Sequence, residues 1–410
     1  MSERSGRNIM AKKLSKKAKK QLLNIGFLVI LIGITVTVVF VSQDINLHDI
    51  GAFLSSCNPW YIVGAFGGLL GYILFEAISL YIIARTVGYK SKVVSSIAYS
   101  TSDLYYSAIT PSATGGQPAS MYYMMRDGSG GGVAGFTVLF NLVGYTVATI
   151  VVGLFGAVAC PWMFGEIGHW LAKTLVIIGF VIQGVLLLLL LLCLFRARII
   201  LKIGKWGIAV LAKMRIFKHP EKQTEKLENV INKYRQCRSV MKKHPMLFVS
   251  SMFFNILQRT SQTLIPCFVC YAASPDVDFL QLFCMQAYVM IGYNSIPLPG
   301  GTGVYEYLYP NIFGIGGAFD MKFILSAMMV SRAISYYICM IVCGLYTLIY
   351  HAVGIKNIKN DEQEPTDAAL AAEYSPDSGI EPPPESASDD AEDPPSVEDA
   401  PPIQGDSDES

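Results

Sequence analysis

The chain has 410 residues, 52% of them apolar and 15% charged, with a mean hydropathy of +0.42. These values exclude an ordinary soluble domain and indicate a polytopic membrane protein. The formal net charge of +1 conceals an asymmetry: residues 1–20 carry eight Lys/Arg against one Glu, whereas residues 361–410 carry seventeen Asp/Glu and no Lys or Arg.

The basic start leads into residues 22–41, about 20 residues and so about 30 Å of helix, with no small-residue cleavage site after it. It is predicted to be a retained span. Further spans are predicted over residues 59–86, 133–159, 171–195, 245–272 and 322–350, which makes six in all. Two other segments, 93–126 and 279–313, are apolar or aromatic but broken in the middle, by "TPSATGGQP" and by "IPLPGGTG". If each is a re-entrant hairpin and the N-terminus is cytosolic, 28 of the 32 Lys/Arg fall on the cytosolic side, as the positive-inside rule asks, and the C-terminus is cytosolic too. A full crossing at the first break would put the basic tract 196–243, with fourteen Lys/Arg against three Glu, outside.

The order is then span, span, hairpin, span, repeated once. Pro59 precedes Gly115 by 56 residues and Pro245 precedes Gly300 by 55. Three crossings per unit invert the second unit relative to the first, so the expected fold is an all-α inverted repeat with six full transmembrane helices and two re-entrant hairpins. The chain accordingly divides into a basic tail (1–20), the first repeat with the start of the second (21–195), a basic cytosolic or interfacial helical loop (196–244), the rest of the second repeat (245–352) and an acidic, Pro-rich tail (353–410). That tail cannot bury enough apolar surface to order itself and is read as disordered.

At a break inside lipid, backbone N–H and C=O groups lose their helical partners and must face protein or a wet cavity. The half-helix that follows presents free N–H groups and a positive dipole end, so an anion is the expected guest. The candidate anion-binding residues are therefore Thr114, Gly115, Gly116, Gln117, Gly300, Gly301 and Thr302. Ionisable side chains at bilayer depth are Glu76, Asp103, Arg259, Glu306 and Arg332. Their cost in lipid makes a functional role the default, with Arg259 or Arg332 facing the anion and Asp103 and Glu306 serving as gates or cation carriers. Pairing with one another is the structural alternative.

No GxxxxGK[ST] or GxSxG motif is present, and the five histidines have no metal spacing. No cofactor and no metal is implied. Cys267 and Cys270 have redox spacing but sit in an apolar span, where packing is the expected role. The helix expected within the basic loop suits an interface with anionic lipid better than nucleic acid.

Pro111-Ser-Ala-Thr-Gly-Gly-Gln-Pro118, followed by Tyr123 and Gly128, together with Pro297-Leu-Pro-Gly-Gly-Thr-Gly-Val-Tyr-Glu306, resembles the membrane domain of the lysylphosphatidylglycerol synthase family. The resemblance covers about residues 20–350. It implies a bacterial cell-membrane protein of flippase type, moving (aminoacyl-)phosphatidylglycerol or a related anionic lipid between leaflets. Full-length members add a C-terminal aminoacyl-transferase domain, for which the acidic stretch after Tyr350 leaves no room, so lysyltransferase activity is not expected of this chain. Two alternatives stand beside the translocase: an accessory protein in aminoacyl-lipid synthesis, and a secondary transporter of a soluble anion. The expected partners are membrane phospholipids, a second copy of the chain, and a cytosolic protein at the basic loop or acidic tail; small-residue stretches such as Gly64 to Gly71 permit close helix packing within or between subunits.

Overall fold

A computed structural model describes residues 47–110, 113–196, 201–202, 205–206, 220–294, 296, 298–317 and 319–353. The first predicted span (22–41), the basic tail and the acidic tail beyond 353 lie outside the described residues, as do Pro111 and Pro297 beside the two breaks. Among the described residues every regular element is helical: α1 (Leu47–Ser56), α2 (Pro59–Thr86), α3 (Val93–Ile109), α4 (Gly116–Arg126), α5 (Gly131–Ala159), α6 (Trp162–Glu166), α7 (Trp170–Phe195), α8 (Pro220–Lys243), α9 (Pro245–Ala273), α10 (Phe279–Tyr293), α11 (Val304–Phe313), α12 (Met321–Arg332) and α13 (Cys339–Val353).

Four helical stretches are long and apolar enough to cross a membrane: α2, α5, α7 and the continuous run Met321–Ala352. The predicted span over 245–272 forms α9, which matches them in length at 29 residues but is more polar. Ser251, Asn255, Gln258, Arg259 and Thr263 are buried along it, so its polar face points into the protein. Both α2 and α9 open on a proline in the first turn, where the missing N–H costs no hydrogen bond; at α2 the Asn58 side chain also accepts from the Trp60 amide at 3.0 Å. The two helices lie against each other at close range. A Cβ at Gly68 would stand 2.9 Å from the Ser261 carbonyl oxygen, and one at Gly71 only 2.7 Å from the Ser261 hydroxyl. The small residues of α2 thus serve a contact within the chain.

Each broken segment folds back on itself, α3 against α4 and α10 against α11. The arms also cross between halves: α3 packs on α13, and α10 packs on α5. At the second break a short turn, Pro299–Gly301, precedes α11, with Gly300, Gly301 and Gly303 at φ of 59°, 64° and 86°. An alanine at Gly303 meets open space and carries only the backbone strain of its positive φ. At Gly300 the added Cβ would also sit 2.2 Å from the Tyr336 ring. Gly300→Ala should therefore lower the thermal unfolding midpoint in detergent more than Gly303→Ala, and equal midpoints would contradict this packing.

Between α12 and α13 the helix widens into a π turn, Ala333–Ile338, directly after Arg332. The helix of the basic loop, α8, packs against α5. Its stripe of Ile231, Tyr234, Cys237 and Val240 is buried, Tyr234 meets Phe136 of α5 edge-on at 5.4 Å, and α5 approaches so closely that a Cβ at Gly132 would lie 2.6 Å from the Val230 carbonyl. Burial pushes the Cys237 thiol up to about 12, which leaves it protonated and unreactive.

Candidate functional site

A cavity of about 650 Å³ lies between the two breaks. Ala113, Thr114 and Gln117 line it from the first, and Tyr293, Asn294, Gly300 and Gly301 from the second. Of the ionisable candidates, Glu76, Asp103 and Arg332 also line it. Gly115 and Gly116 back against α3: the Gly115 amide donates to Thr110 Oγ1 at 2.9 Å, and a Cβ at Gly116 would lie 2.0 Å from Asp103 Oδ1. Thr302 follows in the next turn, partly buried.

The chain's own carboxylates already stand at the N-termini of both helices that follow the breaks. Asp103 lies against Gly116 at the start of α4. Glu306 Oε2 accepts from the Gly303 amide at 2.6 Å at the start of α11. Glu306 has a second partner, since Arg332 Nε donates to its Oε1 at 2.9 Å while Arg332 Nη2 donates to the Gly300 carbonyl at 2.8 Å. The Arg332 guanidinium also lies between the Tyr305 and Tyr336 rings, at 4.4 and 4.9 Å. This ion pair therefore ties the second break to the π turn.

Asp103 and Glu76 are placed differently. Their carboxyls are neighbours on the cavity wall where α2 meets α3, since Ser100, one turn before Asp103, bonds Glu76. Asp103 Oδ1 accepts from Ser107 at 3.0 Å and Gln117 at 3.4 Å, and Glu76 Oε2 accepts from Gln258 at 3.0 Å and Ser100 at 3.2 Å. All four donors are neutral. Beyond Glu76 a polar cluster continues along the α2, α5 and α9 contact: Ser79 donates to Asn141 at 2.7 Å, and Asn255 donates to Ser79 at 2.8 Å.

Arg259 is 1% exposed, and among the described residues it has no carboxylate partner. Its Nε donates to Thr149 at 2.7 Å, its Nη1 donates to Gln262, its plane lies 3.8 Å over the Tyr145 ring, and Tyr293 stands beside the guanidinium, but its Nη2 makes no hydrogen bond of normal geometry. Tyr145 and Gln262 both line the cavity, so Arg259 stands directly behind its wall. Gln286, 4% exposed and lining the same cavity, has an unpartnered Oε1. A buried guanidinium without a counter-ion is costly unless something else supplies the negative charge.

Composition and motif reading did not single out the tyrosines Tyr145, Tyr293, Tyr305 and Tyr336 or the glutamines Gln258, Gln262 and Gln286. The available signal was polar residues recurring one turn apart, Asn255, Gln258, Arg259 and Gln262, in an otherwise apolar span. Cys267 and Cys270 are buried; Cys267 donates to the Thr263 carbonyl at 3.2 Å and Cys270 contacts the Tyr309 hydroxyl at 3.1 Å, so both pack locally.

Comparison with curated proteins gave no match. Residues 25–343 match the family described as "Lysylphosphatidylglycerol synthase TM region". That match takes in both breaks and every side chain that lines the cavity between them. The chain therefore belongs to the lysylphosphatidylglycerol synthase transmembrane-region family and is a multi-pass membrane protein.

Proposed function

We propose that this protein is a lipid translocase, which carries an anionic phospholipid headgroup through the central cavity while the acyl chains stay in the bilayer. One observation carries the reading: the cavity joins polar walls to lipid-facing surface. Ile182 and Leu186 of α7 line it yet are 39% and 37% exposed, on a helix with a hydropathy of 3.1. From that side a headgroup can reach Gln117 and Gln286, with Arg259 behind Tyr145 and Gln262 and the tails left among the leucines of α7. The volume suits a headgroup rather than a whole lipid.

The crossed packing of α3 on α13 and α10 on α5 supports an inverted repeat, in which each hairpin is held by the last helix of the other half. Rocking of one half against the other would then expose the cavity to either leaflet in turn. In this reading α4 and α11 are re-entrant half-helices, and both termini face the cytosol.

The test is reconstitution of the full chain in liposomes carrying fluorescent phosphatidylglycerol, with quencher added outside. Protein-containing liposomes should lose the inner-leaflet signal that protein-free liposomes retain, and Leu186→Trp should slow this loss. Uptake of radiolabelled glycerophosphate with no lipid transfer would replace the translocase with a soluble-anion transporter.

A further inference from the structure

The buried charge around the cavity does not balance. Among the described residues its ionisable groups are Glu76, Asp103, Glu306, Arg259 and Arg332. Glu306 and Arg332 cancel in their ion pair. Two neighbouring carboxyls, Glu76 and Asp103, remain against one guanidinium, and among the described residues neither is ion-paired to a cation.

Two carboxylates cannot both stay ionised in contact at low dielectric, whereas a single proton between them turns repulsion into a hydrogen bond. That proton also brings the five buried groups to neutrality. The other groups nearest the pair are Tyr72 from α2, Gln117 from α4, Tyr145 from α5, Gln258 from α9, and Cys339 and Cys343 from α13; Arg332 and Tyr336 stand elsewhere on the cavity wall and Arg259 behind it. Those that titrate do so ordinarily above about pH 8, so the pair is the proton-binding element near neutrality.

We infer that Glu76 and Asp103 hold one exchangeable proton, and that an anionic headgroup docked on Arg259 tightens its hold, so that lipid and proton cross together. This rests on the translocase reading for its substrate. The linkage follows from charge. While Arg259 is unoccupied, its positive field favours loss of the proton; an anion on Nη2 cancels that field, and by reciprocity the protonated pair strengthens anion binding. Among the buried atoms left without partners, Arg259 Nη2, Gln286 Oε1 and the Tyr305 hydroxyl stand at or just behind the cavity wall, and the first two mark where the headgroup would supply an acceptor and a donor.

Infrared spectra of the full chain in phosphatidylcholine nanodiscs test the proton directly. A protonated-carboxyl band is expected at neutral pH, absent from Glu76→Gln and from Asp103→Asn. Carbon-13 aspartate in the native chain, which needs no variant, should move part of that band. Dihexanoyl phosphatidylglycerol should raise the pH at which the band disappears, and Arg259→Gln should abolish that rise. In liposomes, one proton per lipid predicts about a tenfold leaflet ratio of anionic lipid for each unit of pH difference.

Absence of the band from the native chain at neutral pH overturns the proposal. A band that ignores the lipid overturns the linkage, and a sodium requirement at constant pH overturns the proton in favour of a metal cation. A lipid-sensitive band without leaflet transfer keeps the proton-linked anion site and removes the translocase.

Discussion

Arg332→Met should destabilise the protein by about 3–5 kcal/mol, the usual cost of leaving one member of a buried ion pair without its partner. Arg332 is 7% exposed and makes its bonds to Glu306 and to the Gly300 carbonyl. Its loss strands a carboxylate inside the protein and frees the second break from the π turn. Unfolding midpoints in detergent should drop sharply for Arg332→Met and recover in part in the double variant Glu306→Gln with Arg332→Met, which removes the stranded charge. Recovery should stop short of the native value, because Glu306 also caps α11 through the Gly303 amide. A single variant as stable as the native chain would mean that the pair has no structural role.

Arg259→Gln should do the opposite. Its guanidinium has no carboxylate in direct contact, so replacing it removes a buried charge held without an ion-pair partner, along with bonds to Thr149 and Gln262 and the contact with Tyr145. These effects oppose each other, and the unfolding midpoint should shift little. Transport should suffer heavily: losing the cationic partner of a desolvated phosphate costs about 3 kcal/mol, or roughly a hundredfold in the rate of lipid transfer. Leaflet-transfer rates and unfolding midpoints measured on the same preparations separate the two arginines. If Arg259→Gln moved lipid at the native rate, the anion would have to dock elsewhere.

The contrast between the arginines also shows where sequence reasoning stopped. Both were legible as costly ionisable groups in apolar segments, and nothing in their neighbours told them apart. Glu306 lies 26 positions before Arg332, and only the return of α12 beside α11 brings the two within 2.9 Å. Asp103 likewise looked like the counterpart of Glu306. In the fold it faces Glu76 across the α2–α3 contact and shares no partner with Glu306. The π turn gave no local signal, because its widening comes at a helix junction that carries Arg332 and Tyr336 into the cavity wall.

Hydrophobic runs, prolines and glycines by themselves determined the class, the four long apolar spans among the described residues and the positions of both breaks. Each is a local property, set by the length of helix that crosses lipid and by the backbone shapes that proline and glycine allow. Tertiary structure alone decided which buried charges neutralise one another and which remain open. That outcome depends on approaches of a few ångströms between helices far apart in the chain. In this protein it separates Arg332, which is paired with Glu306, from Arg259, which has no carboxylate partner among the described residues.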